Sequence, residues 1–145
     1  MRYMPLSVVV FSAENVRGAL LRKALEKSGF EVSLHKNVRV AIDVLKAKAP
    51  QLVIIDRKGY FPRELESFSS LSGLLKNIPV VIVSKAEADS SFTLKDVSVE
   101  WCQSDPLDPL AVVAKAKSRL AASGKSDLRE KETIAEDLRG FIGLK

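Results

Sequence analysis

Cysteine, histidine, aromatics and long apolar runs are all scarce in this chain of 145 residues, and each scarcity excludes a class of function. One cysteine, Cys102, rules out an internal disulfide, and one histidine, His35, leaves too few ligands for a zinc site. A hydrolytic triad would have to use His35, which the segment EVSLH places in a strand, so both residues read as structural. No apolar run approaches the ~18–20 residues that cross a bilayer. The start, MRYMPLSVVVF, is apolar too briefly for a secretory signal and Glu14 follows soon after, so the expectation is a cytoplasmic protein with no membrane partner. The glycines stand alone at 18, 29, 59, 73, 124, 140 and 143, without the clustered pattern that cradles a phosphate after a strand.

What is present is ordinary for a globular chain: 46% hydrophobic and 28% charged residues, enough for one sizeable core. The net charge of +5 is uneven, because residues 124–145 hold five basic and five acidic side chains and the whole excess lies in 1–123. Those cations, among them Arg17, Arg22, Lys27, Arg57, Lys58 and Arg119, are dispersed rather than massed with aromatics. A solvated surface is the plain reading, and no recognition helix for nucleic acid is evident.

Along the chain, apolar runs alternate with helical periodicity. LSVVVF, LVIID (52–56) and IPVVIVS (78–84) are apolar on both faces, the mark of strands covered on both sides. FEVSLH alternates and reads as a strand near a sheet edge, and VEWCQS (99–104) as a further strand. Between them, a helix capped by Asn15 presents Val16, Leu20, Leu21, Ala24 and Leu25 as its inward stripe and ends at Gly29. A second helix uses Val38, Ala41, Ile42 and Leu45 before Pro50, and a third uses Leu65, Phe68, Leu71 and Leu75. Residues 85–97 are polar and weakly patterned, read as a short helix, and the last helix faces inward through Leu110, Val113, Ala114 and Leu120. Five β-then-α units predict an α/β, flavodoxin-like (βα)5 three-layer sandwich with a parallel five-stranded sheet. Residues 1–123 form this domain and 124–145 a short C-terminal helical tail or linker. In such a sheet the crevice beyond the strands' carboxyl ends is the functional face, and Asp56, ending LVIID, points into it.

Together, PQLVIID, IPVVIVS, SDPLDPLAV and ENVRGALLRKALEKSGFEV resemble, in order and spacing over roughly residues 6–122, the receiver domain of bacterial two-component response regulators. The resemblance implies Asp56 at the phosphoacceptor position and Ser84 at the hydroxyl that contacts the phosphoryl group. It also implies Mg²⁺ held by an acidic pair after the first strand, and a lysine before the proline that follows the fifth. This sequence departs from that pattern. Ser12 and Ala13 stand where the acidic pair belongs, Glu14 is the only carboxylate nearby, and Asp105 replaces the lysine. The switch aromatic falls on Cys102 by strict counting and on Trp101 with a one-residue slip.

Phosphoryl transfer rests on positioning and charge neutralisation, so these losses remove its main catalytic term. The expectation is therefore a pseudo-receiver: no enzyme, no cofactor, doubtful Mg²⁺ binding, and a phosphorylation-independent protein-interaction module. Its partner would be a signalling protein or a second copy as homodimer, met through Trp101, Lys115 and Arg119 or through the polar segment 86–97. A metal-replacing cation, Lys58 or Lys85, would pair with Asp56 or Asp105; the plain alternative sends both lysines and Arg57 to solvent. The competing reading keeps Asp56 as a working phosphoacceptor for a histidine kinase, with Ser84 and an adapted Glu14.

Overall fold

β-Branched runs shielded on both faces have one stable use, the middle of a parallel sheet, and this is where they lie. The computed structural model describes residues 6–85, 97, 99–104 and 106–122. Its strands are β1 (Ser7–Ser12), β2 (Glu31–His35), β3 (Leu52–Asp56), β4 (Val80–Ser84) and β5 (Val99–Gln103), all parallel in the order β2-β1-β3-β4-β5. Every residue of β3 and β4 is buried, whereas β2, the alternating strand, forms one edge. The helices are α1 (Asn15–Lys27), α2 (Ala41–Lys48, after a 3-10 turn at Val38–Val40), α3 (Pro62–Ser69), α4 (Ser72–Leu75) and α5 (Pro109–Ala122). This is the expected flavodoxin-like sandwich. The tail 124–145, the segment 86–96 and Asp105 lie outside the described residues.

The pleat divides the core in two. Val9, Phe11, Val53, Ile55 and Ile82 pack with Leu45 of α2, Leu65 and Phe68 of α3 and Leu75 of α4. Val8, Val10, Ile54, Val81 and Val83 pack with Leu21 and Leu25 of α1 and with Val112, Ala116 and Leu120 of α5. No helix among the described residues is long and apolar enough to cross a membrane.

Several helices are turned or divided differently from the sequence reading. In α1 the buried residues are Gly18, Leu21 and Leu25, while Val16 and Leu20 are exposed, and Glu14 rather than Asn15 holds the N-cap position. Gly18 favours the rotation: a Cβ there would stand 3.2 Å from Leu34 Cδ1 and 3.3 Å from Ser12 Cβ, a tight fit, so the glycine lets the helix sit close to the sheet. In α2 Ile42 is exposed. The ladder Leu65, Phe68, Leu71, Leu75 is fully buried as expected, but it belongs to two helices separated at Ser70 and Leu71. Glu64 reaches back from α3 to accept from Phe61 N at 2.9 Å, half of a capping box. In α5 Val112, Val113, Ala116 and Leu120 face inward and Leu110 and Ala114 outward, because the helix begins only at Pro109 with Asp108 Oδ1 accepting from Leu110 N.

Two outcomes test this account. Gly18→Val should lower stability by about 1–3 kcal/mol through overpacking, and Leu20→Gln should change it by no more than about 0.5 kcal/mol, both read from urea unfolding. The second concerns His35, whose ring lies 6.1 Å from that of Phe11 with Ser33 Oγ 2.6 Å from Nε2. Partial burial, and then Lys48, holds its pKa below the ordinary 6.5. The unfolded chain thus takes up the proton first, so stability present above pH 6.5 should decline as pH falls through and below that value, and His35→Gln should remove this part of the slope.

Candidate functional site

The chain leaves β1 toward β2 on one side and reaches β3 on the other, which makes the crevice beyond β1 and β3 the switch point of the sheet. Register places Ser12 beside Asp56 at this end, and Asp56 beside Val83, with Ser84 closing β4. Asp56 is wholly buried. Arg17 donates to it through one edge of the guanidinium, Nε to Oδ2 and Nη2 to Oδ1, each at 2.8 Å. Ser12 Oγ donates to Oδ2 at 3.1 Å. The Arg17 side chain is only 12% exposed, so this is a two-point ion pair shielded from water.

The loops around the pair are fitted to each other. Gly59 has φ +89°, and a Cβ there would stand 3.0 Å from Ala13 Cβ and 3.3 Å from Glu14 Cγ. Glycine at 59 and alanine at 13 therefore let the loop after β3 close on the loop after β1. The next residue, Tyr60, is buried; its hydroxyl donates to Lys36 O at 2.9 Å and its ring meets Phe68 edge-on at 5.7 Å. Burial, then Glu64 and Asp56, pushes the phenol pKa well above its usual 10.0, so it stays a neutral donor. Above Asp56 opens a cleft of about 370 Å³, lined by Arg17, Arg57, Lys58, Lys85, Ser84 and Ser104 among others.

Of the residues singled out in the sequence, Ser12, Ala13, Glu14, Asp56, Ser84, Lys58 and Lys85 meet at this end of the sheet. Their roles differ from expectation in one respect. The cation at Asp56 is Arg17, not Lys58 or Lys85, both of which are exposed. The turn after β3 carries Lys58 outward, whereas the first turn of α1 stands directly over the buried carboxylate. Pairing of either lysine with Asp105 lies outside the described residues. Glu14 does not bond Asp56; its carbonyl accepts from Gly18 N and lies 3.3 Å from Ser12 Oγ, and its side chain lies against Gly59.

A signal for Arg17 did exist. It sits in the first turn of a helix with no acidic residue there, where the helix dipole disfavours a cation unless a carboxylate faces it.

The expected partner surface is not one patch. Trp101 packs with the α2–α4 side of the core, whereas Lys115 Nζ bonds Glu100 Oε1 at 3.2 Å on the α5 side of the same strand. Arg119 Nε is buried without a hydrogen-bond partner among the described residues. Cys102 is buried on the α5 side, and that burial pushes its thiol pKa up, so it is chemically quiet.

No family model and no curated protein matches the sequence. Solved structures do match in fold. A CheY-like response regulator receiver domain from Methanospirillum hungatei superposes with TM-score 0.69 at 15% identity, covering 84% of this chain and 98% of its own. The chain has the CheY-like receiver fold. An atypical orphan response regulator, described as working by a phosphorylation-independent regulatory mechanism, gives TM-score 0.61 at 19% identity over 80% of this chain and 96% of that one. NtrX from Brucella abortus gives TM-score 0.65 at 19% identity over 94% of this chain, which spans only 30% of the NtrX chain.

The magnesium ion implied by a receiver resemblance does not fit the described residues. No three His, Cys, Asp or Glu side chains gather there to hold a metal. Asp56 already accepts from a guanidinium on both oxygens, and a divalent cation beside Arg17 would meet like charge.

Burial sets the size of the ion pair's effect. Arg17→Ala leaves Asp56 charged and unpaired, and should cost about 3–5 kcal/mol. Arg17→Lys should recover only part of this, since an ammonium cannot make the two-point contact. Arg17→Met combined with Asp56→Leu should lie within about 1–2 kcal/mol of the wild type. Urea denaturation of the wild type and the three variants measures these differences.

Proposed function

We propose that this chain is a receiver-fold signalling module that acts as a phosphorylation-independent protein-interaction domain rather than an enzyme. The observation that carries the reading is the Arg17–Asp56 pair. A carboxylate attacks phosphorus through an oxygen lone pair in line with the leaving group. At Asp56 both oxygens face hydrogen-bond donors and none of the side chain reaches solvent. Opening the site would mean detaching a guanidinium from a buried carboxylate and then supplying cations to the transferring phosphoryl group, which Ser12 and Ala13 cannot recruit through a metal.

The fold likeness to an atypical orphan regulator described as phosphorylation-independent supports the same reading. With the site closed, the chain's contribution is a surface, cytoplasmic and directed at a signalling protein or a second copy. The Trp101 and Lys115 sides of the β5 edge offer two different faces for it.

The competing reading has its own observation: Asp56 and Ser84 end adjacent strands at one crevice, as a phosphoacceptor and its hydroxyl partner would. Incubation with acetyl phosphate and Mg²⁺, followed by intact-mass spectrometry, separates the two. The expected result is no phosphoryl adduct on the wild type and no change in partner capture. An adduct that disappears in Asp56→Asn would establish the competing reading.

A further inference from the structure

Val16, Leu20 and Leu110 are apolar, uncovered and close together in the fold. Helix α1 joins the parallel neighbours β1 and β2, and α5 follows β5 and packs back on β4 and β5, so both run antiparallel to the strands. The two helices lie side by side over one face of the sheet, sharing the core of Leu21, Leu25, Val112, Ala116 and Leu120. At their first turns Val16 and Leu110 are each 72% exposed, and Leu20 is half exposed one turn along. Toward the last turns the same outward stripes become basic. Lys23 and Lys27 continue Val16 and Leu20 at helical spacing, and Lys117 continues Leu110 and Ala114. Arg22 pairs with Glu26, whereas Lys23, Lys27 and Lys117 are in no ion pair among the described residues. The outer surface of α1 and α5 is thus apolar at one end and cationic at the other.

The sequence after α5 is the complement of this surface. Residues 127–138 hold five acidic side chains, Asp127, Glu130, Glu132, Glu136 and Asp137, against two basic ones, Arg129 and Lys131. Ile134, Leu138 and Phe141 stand at i, i+4 and i+7, the apolar stripe of a helix. Alone in water a helix of this length is marginal, and it gains stability where that stripe is covered. Helix α5 ends at Ala122, at the same end of the sheet as Lys27. The tail therefore starts at the basic end of the α1–α5 surface and reaches the apolar end last. Its own order is the same: Asp127, Glu130 and Glu132 come first, then Ile134, Leu138 and Phe141. As a helix, residues 127–142 span about 24 Å, against about 20 Å for α1.

We propose that residues 127–142 dock as a helix along the outer surface of α1 and α5 of their own chain, antiparallel to both. Carboxylates near the start of the segment face Lys23, Lys27 and Lys117, and Ile134, Leu138 and Phe141 cover Val16, Leu20 and Leu110. Lys131 falls within the apolar stripe and lays its stem along it, with the ammonium at the water-exposed rim. The contact withholds one face of the domain from other proteins and leaves the β5 edge open; release of the tail would expose a second surface, apolar and cationic. It is independent of whether Asp56 is phosphorylated.

A few exposed ion pairs and one apolar stripe hold a tail weakly, and such a contact opens before the domain unfolds. Urea unfolding therefore does not register it, and the readout has to be local. The test places a nitroxide on Gly143→Cys in the full, isotope-labelled chain and records amide NMR spectra, with intact mass confirming a single label because Cys102 is buried. Amides from Val16 to Leu20 and from Leu110 to Ala114 should broaden, and those of α3 and α4, across the sheet, should not. Lys23→Glu and Lys27→Glu should each shift the docking equilibrium toward release by about two- to fivefold, the range of an exposed ion pair. Adding Glu130→Lys to Lys27→Glu should restore part of that loss. Lys46→Glu, an exposed position of α2 on the other face of the sheet, should leave the broadening unaltered. Broadening that is absent, uniform or centred on another helix would overturn the proposal, as would equal release by Lys46→Glu. A mixture of nitroxide-bearing chain without isotope and isotope-labelled chain without nitroxide decides the occupant. Broadening of α1 in that mixture would assign the surface to the tail of a second copy and overturn the contact within one chain.

Discussion

A single buried ion pair governs how this end of the molecule is built. Asp56 ends one of the two fully buried strands and has no solvent to hold its charge. Desolvating a carboxylate costs several kcal/mol, an amount that only a well-aligned partner offsets. Arg17 supplies that partner across 39 residues of sequence, and in doing so ties α1 to the centre of the sheet. The rotation of α1 follows. With Arg17 directed at Asp56 and Gly18 seated against Leu34 and Ser12, Leu21 and Leu25 complete the buried face and Val16 and Leu20 turn to solvent.

The loops obey the same constraint. Ser12 adds a hydroxyl to the carboxylate where an acidic side chain would have repelled it. Ala13 is small enough to accept Gly59, whose positive φ closes the loop after β3. Tyr60 then anchors that loop by its hydrogen bond to Lys36 O and its edge contact with Phe68, which itself meets Phe11 at 5.3 Å. The residues around Asp56 are thus mutually consistent: a buried carboxylate answered by a guanidinium and a hydroxyl needs no further charge beside it. What remains on the rim is positive: Arg57, Lys58 and Lys85 line the cleft.

Much of the fold was legible because buried parallel strands leave an unambiguous trace. LSVVVF, LVIID and IPVVIVS are apolar on both faces, and FEVSLH, which alternates, is the edge. Helix positions were legible too, but helix rotation was less so. Five apolar residues of α1 fit one stripe on paper, and the structure buries only two of them, since a wheel ranks residues by hydrophobicity and cannot weigh an ion pair or a glycine contact. The ladder of α3 and α4 was right in its residues and silent about the break between the helices, because burial of Leu71 does not depend on unbroken helical hydrogen bonding.

By itself, the sequence determined the α/β order, the parallel sheet, and the placement of Asp56 and Ser84 at the carboxyl ends of their strands; all of these depend on local patterns a few residues long. It also put Ser12 and Ala13, rather than acidic residues, directly at the end of the first strand. Only the tertiary structure decided which cation answers Asp56. Lys58 lies two residues away and Arg17 thirty-nine, yet reach depends on where the backbone aims a side chain. The turn after β3 aims Lys58 at solvent, and the first turn of α1 aims Arg17 down onto the strand end. A buried charge selects the partner that can be held beside it without water, and that choice is made in three dimensions.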